Sequence, residues 1–312
     1  MYTNGPTEIP AEGGSVDTDG SLTEQWKRVL ASLESLLPKP VPRIDWATCL
    51  AANWRRHSFA GFMEPVAGAD TIRLEDLLGI DRQKKEVVDN TRQFLAGLPA
   101  NNILLWGTRG TGKSSLVRAL LPAFAQQGLR VIQVDPNDLV HLPGIVDDVK
   151  EQQYKFVIFS DDLSFESGDA SYKMLKSALD GSVYALPDNV LIYVTSNRRH
   201  LVPEYESDNR GAMVVEGEIH HGEAVEEKIS LSGRFGLWVP FHPFSQDLYL
   251  EVTRRWVDKL CLKNGRRLEW TGEAVDEAIL WSQKKGDRSG RIAYQFACRY
   301  VGREIMDRVT QR

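Results

Sequence analysis

From about Asp70 the chain alternates short apolar runs with helical stretches, a pattern that predicts βαβ units. Five runs read as strands: "NNILLWG" (101–107), "LRVIQVDP" (129–136), "FVIFSDD" (156–162), "NVLIYVTSN" (189–197) and "LWVPFHPF" (237–244). They are nearly continuous in apolar residues rather than alternating, as expected of a parallel sheet covered on both faces. Between them, "KSSLVRALLPAFAQQG" predicts a helix closed by Gly128, "NDLVHLPGIVDDVKEQ" a short helix, and "SYKMLKSALDG" a third. Beyond Phe244 the strand signals end. Leu248, Val252, Trp256 and Leu260 recur at four-residue steps, "TGEAVDEAILWSQKK" predicts a second helix, and Ile292, Phe296 and Tyr300 stand in register on a last one. The expected architecture is α/β: a parallel five-stranded sheet flanked by helices over 67–242, followed by a C-terminal helical lid domain over 243–312.

The N-terminal part differs. Residues 1–20, rich in Gly, Pro, Ser, Thr and acidic side chains, predict a disordered tail. "LTEQWKRVLASLESLL" then sets Leu22, Trp26, Val29, Leu30, Leu33, Leu36 and Leu37 on one helical face, and Pro38, Pro40 and Pro42 stop that helix. With the aromatic-rich stretch "IDWATCLAANWRRHSFAGFMEP" these residues form an expected N-terminal helical extension, 21–66, packed on the main domain.

Composition narrows the class without changing it. At 312 residues, 42% hydrophobic and 26% charged, the chain is an ordinary globular one. It has no apolar run of membrane-spanning length and no signal-peptide layout at its start, so no membrane is expected. Cys49, Cys261 and Cys298 have neither metal-ligand spacing nor an even count, which favours a reducing, cytoplasmic setting. A net charge of −5 argues against a broad nucleic-acid surface and leaves nucleic acid a lesser alternative as partner. From Phe244 onward the balance turns mildly basic, 14 Lys and Arg against 10 Asp and Glu, as on a solvated helical surface.

The chemistry concentrates at "GTRGTGKS", which fits G-x-x-x-x-G-K-[ST] between a strand and a helix. Gly107, Thr108, Arg109, Gly110, Thr111 and Gly112 form a loop whose backbone N–H groups turn toward phosphate oxygens. Lys113 reaches the β- and γ-phosphates, the Ser114 hydroxyl is a ligand for Mg²⁺, and Ser115 follows in the helix N-terminus, which adds its positive end. The third strand ends in Asp161, a second magnesium ligand, and Asp162, placed to polarise an attacking water. Glu166 is a second candidate for that base. The fourth strand ends in Thr195 and Asn197, polar side chains beside the γ-phosphate. No Asn-Lys-x-Asp follows a strand to read guanine, so the expected nucleotide is ATP.

In this order of motifs, with "SGRFG" before the fifth strand and "GDRSGR" in the lid, the chain resembles the AAA+ P-loop ATPases. "LLGIDRQKKEVVDNTRQFLAGLPANNILLWGTRGTGKSSLVRALL", "DDLSFE", "TSNRRHL", "EEKISLSGRFG" and "RSGRIAYQF" are similar to one bacterial family within it, catalogued as domain of unknown function 815. That family carries an Asp pair at the acidic strand end. The resemblance implies that Gly79 and Ile80 lie near the adenine, that Arg234 is an arginine finger, and that Arg291 is a lid sensor with Arg288 as fallback. A finger acting in trans implies a homo-oligomeric ring, a hexamer by preference, that hydrolyses ATP and remodels or regulates a protein partner. The alternative is an ATP-gated binding module with little turnover. Polypeptide-threading rings carry an aromatic loop after the second strand, and "NDLVHLPGIVDD" has none. The long segment 198–228 is the expected contact loop, its His220, His221 and Glu223 read as exposed loop residues rather than metal ligands.

Overall fold

A computed structural model describes residues 26–29, 44–57, 60–66, 72–165, 170–180, 186–199, 201, 213–215, 218–220 and 231–310. The chain divides into two units, 1–43 and 44–312. In the first, residues 26–29 form a helical turn. The expected tail, the rest of the expected first helix, Glu166 and most of the expected contact loop lie outside the described residues.

The second unit opens with strands β1 (Ala51–His57) and β2 (Ala60–Pro65), then helix α1 (Asp81–Leu95). The α/β alternation follows as β3 (Ile103–Gly107), α2 (Lys113–Phe124), β4 (Leu129–Gln133), α3 (Leu142–Val149), β5 (Lys155–Ser160), α4 (Ala170–Leu179) and β6 (Val190–Ser196). Short strands β7 (Met213–Val215) and β8 (Glu218–His220) pair with each other, antiparallel. The sheet resumes with β9 (Leu237–Phe241), and α5 (Gln246–Lys263), α6 (Gly272–Lys285) and α7 (Gly290–Thr310) complete the unit.

The main sheet runs β2-β1-β4-β5-β6-β3-β9. Its five expected strands are all parallel. Among the described residues this sheet has seven strands, because β1 adds parallel to β4 and β2 adds antiparallel to β1. The helical extension expected over 21–66 is therefore corrected: residues 51–57 and 60–65 are paired strands of the sheet. Ala52, Trp54 and Met63 are buried, whereas Arg55, Arg56 and Glu64 stay exposed. Such an edge needs only a few buried positions, and its pairing with β4 repays the alanines' preference for helix.

Double-sided burial explains the continuous apolar runs. On β6, Val190, Ile192 and Val194 join the core beneath α3 and α4, while Leu191 and Tyr193 join the core beneath α1 and α2. The lid has its own core, in which Tyr249, Val252, Ala278, Ile292, Phe296 and Tyr300 meet. Ser245 and Thr271 cap α5 and α6 by accepting from the backbone N–H of Leu248 and Ala274.

Candidate functional site

Strand order brings the site together. β3 lies beside β6, and β6 beside β5, all parallel, so the loops that leave their C-terminal ends share one edge of the sheet. The register pairs Ser160 with Val194, which puts Asp161 level with Thr195. Thr195 Oγ1 donates to Asp161 Oδ1 at 2.5 Å, and Ser114 Oγ from α2 donates to the same oxygen at 2.5 Å. The two expected magnesium ligands are thus adjacent. Arg118 pairs with the other carboxylate oxygen of Asp161 at 3.8 Å. Sequence reasoning missed Arg118, although its place one turn after Ser114 on the same helix was a usable signal.

Asp162 stands with φ +55°, a left-handed conformation that Asp tolerates better than most side chains. Its backbone N–H donates to Thr195 Oγ1 at 2.9 Å, and the next N–H, of Leu163, donates to the Thr195 carbonyl at 2.7 Å. Pinned to β6 in this way, the residue offers its carboxylate to Asn197 Nδ2 through Oδ1 and to the Arg109 guanidinium at 3.5 Å through Oδ2.

Lys113 is 6% exposed and donates to the carbonyls of Gly107 at 2.7 Å and Thr108 at 2.8 Å, and to Asn197 Oδ1 at 3.1 Å. Burial pushes its ammonium down to about 8; Asp162 and Asp161 oppose that shift, and Arg109 and Arg291 reinforce it. Asn197 therefore bridges the phosphate-loop lysine and Asp162.

The lid closes on this loop. The backbone N–H of Gly290 donates to the Gly110 carbonyl at 2.9 Å. A Cβ on Gly110 would sit 2.7 Å from Ser289 Oγ and 3.3 Å from Arg291 Cβ, and Gly110 has φ +74°, so only glycine fits there. Arg291 stands at the phosphate loop, whereas the Arg288 carbonyl accepts from Phe244 N–H at 3.3 Å. On the other side, a Cβ on Gly79 would lie 2.4 Å from Leu248 in α5, and buried Ile80 reaches within 3.6 Å of a Cβ built on Gly112. Gly79 and Ile80 thus lie between lid and phosphate loop. Arg234 forms an ion pair with Asp180, just past α4. Nothing in the sequence singled out Asp180 as its partner.

A family model described as Protein of unknown function (DUF815) matches residues 47–304. No curated protein matches the chain in sequence. Among solved structures, the Thermotoga maritima RuvB Holliday junction branch migration motor superposes with a TM-score of 0.50 at 17% identity, covering 77% of this chain and 66% of that one. A mutant of the same RuvB gives a TM-score of 0.51 at 16% identity, covering 77% and 67%. The chain spans about two thirds of the length of these RuvB chains, and the likeness is one of fold.

Proposed function

The chain belongs to the DUF815 family and has the AAA+ fold, and from that premise we propose that it binds ATP with Mg²⁺, hydrolyses it, and acts as a ring on a protein partner. Residues 67–242 hold the nucleotide and 243–312 form the lid. The observation that carries this reading is the convergence of Lys113 and Ser114 at the head of α2, Asp161 and Asp162 after β5, and Asn197 after β6 on one sheet edge. In this reading the loop's N–H groups and Lys113 hold the phosphates, Gly79 and Ile80 face the base, and Asn197 orients the water that Asp162 polarises.

The Ser114 hydroxyl and the Asp161 carboxylate are hard oxygen donors that already touch, a donor pair suited to Mg²⁺. When bound there, the ion neutralises phosphate charge. Arg291 reads the nucleotide from the lid, and Arg234 completes a neighbouring subunit's site, an effect worth ~10³–10⁵ in rate. A threading role is disfavoured, because Leu139, Leu142 and Ile145, in the segment after β4, are buried in the core instead of projecting from it.

One observation favours the second reading, an ATP-gated binding module: both carboxylate oxygens of Asp162 are already engaged. Steady-state ATP hydrolysis measured over a wide range of protein concentration decides between the two. Turnover per subunit that grows with concentration supports the ring. Tight ATP binding with no turnover at any concentration supports the gated module.

A further inference from the structure

Arg109 occupies a variable position of the phosphate loop, between Gly107 and Gly110, and nothing in the motif itself assigns its side chain a task. Its guanidinium lies 3.5 Å from Asp162 Oδ2, while Asn197 Nδ2 donates to Oδ1. With a contact on each oxygen, the carboxylate has fewer of its lone pairs left to accept a proton from water. The hold cannot slacken by drift of the backbone, because the N–H groups of Asp162 and Leu163 are bonded to Thr195. Release then depends on side-chain motion, and the arginine side, the longer and more exposed of the two, moves more readily.

That side is built to be broken. The two side chains are 72% and 58% exposed, so water screens the pair and it is weak. A triphosphate entering the loop offers the same guanidinium several oxygens and more charge, in a geometry that suits its forked donors. The neighbouring Gly110 carbonyl is fixed by the lid through Gly290, so the loop tip keeps its place while the side chain swings.

We propose that Arg109 is a positioning residue that holds Asp162 in a resting pose and exchanges it for the phosphates of an incoming nucleoside triphosphate, which frees the carboxylate to act. The inference rests on the nucleotide site proposed above. It also accounts for Asp in place of the longer Glu: with the backbone pinned at φ +55°, the shorter side chain meets Arg109 and Asn197 at once.

The exchange predicts that Asp162 competes with nucleotide for Arg109, and a binding cycle reads this without turnover. Affinity for the β,γ-imido analogue of ATP with Mg²⁺ is measured by calorimetry on the full chain, Arg109→Gln, Asp162→Asn and the double variant, with thermal melting to verify folding. Asp162→Asn is expected to tighten binding several-fold in the wild-type background and less than twofold in Arg109→Gln. Arg109→Lys, which keeps the charge, should retain part of that coupling. Equal tightening in both backgrounds, or none in either, overturns the exchange alone and leaves the nucleotide site standing. A wild-type chain that binds no nucleotide overturns the site and the exchange together.

Discussion

The N–H of Gly290, first residue of α7, donates a 2.9 Å hydrogen bond to the carbonyl of Gly110 in the phosphate loop. Lid and phosphate loop are therefore joined through backbone, at a point where no side chain fits between them. Gly110→Ala puts a methyl group 2.7 Å from Ser289 Oγ at φ +74°, a conformation that costs ~1–2 kcal/mol for an L-residue. We expect the thermal midpoint to fall by a few degrees and ATP affinity to fall at least tenfold, read by melting and calorimetry. Unchanged affinity would show that the lid contact is incidental to binding.

Lys113 gives a pH dependence with a definite sign. Its ammonium is held near 8, below its ordinary 10.5, so between those values the unfolded chain binds more protons than the folded one. Its contribution to stability without nucleotide therefore rises with pH across that window. In the proposed site ATP meets the ammonium, so binding should weaken above pH 8, by up to a decade per unit, with proton uptake seen in buffers of different ionisation enthalpy. Lys113→Ala should bind ATP at least a hundredfold more weakly and lose the pH dependence.

In the proposed mechanism, Asp162→Asn removes the acceptor for the water's proton and leaves the phosphate cradle intact. Turnover should fall ~10²–10⁴-fold while ATP stays bound. Glu166→Gln is the companion variant. Normal turnover in Asp162→Asn with a dead Glu166→Gln would move the base to Glu166.

Arg234 is tied to Asp180 within its own subunit, so a role in trans requires exchange of partner on assembly. Arg234→Ala should bind ATP almost normally and hydrolyse it poorly. Mixing it with Asp162→Asn subunits should restore part of the activity, since some interfaces regain one base and one finger. An arginine that only anchors α4 would give a lower melting point and no rescue on mixing.

Arg130 is 4% exposed, donates to the carbonyls of Trp46, Ala125 and Leu129, and lies over the Tyr154 ring at 4.0 Å. Arg130→Met strands those acceptors and should cost on the order of 3 kcal/mol, measured by denaturant unfolding. The loss should loosen the residues that lead into β1, because the Trp46 carbonyl accepts from that guanidinium while the Trp46 ring packs edge-on against Phe156. Faster amide exchange across β1 and β2 than across β5 is the expected signature.

Much of this protein is determined by neighbours in sequence. The five parallel strands were legible because burial on both faces demands continuous apolar runs, and the lid helices because Leu248, Val252 and Trp256 or Ile292, Phe296 and Tyr300 repeat at helical spacing. The loop after β3 carries its glycines, Lys113 and Ser114 within the eight residues 107–114, so that motif is readable without the fold. What tertiary structure alone decided depends on partners distant in the chain. The edge pair of β1 and β2 exists because Ala51 pairs with Val131 of β4, and Ala-rich residues with few buried positions carry no strand signal of their own. Helix α1 is likewise fixed by its packing, supplying Val87 and Phe94 to the core and Ile80 at its head to the site. The Arg118–Asp161, Arg109–Asp162 and Arg234–Asp180 pairs join elements far apart in sequence. An isolated charge says nothing about which opposite charge the fold will bring to it, because that choice is made by strand order and register.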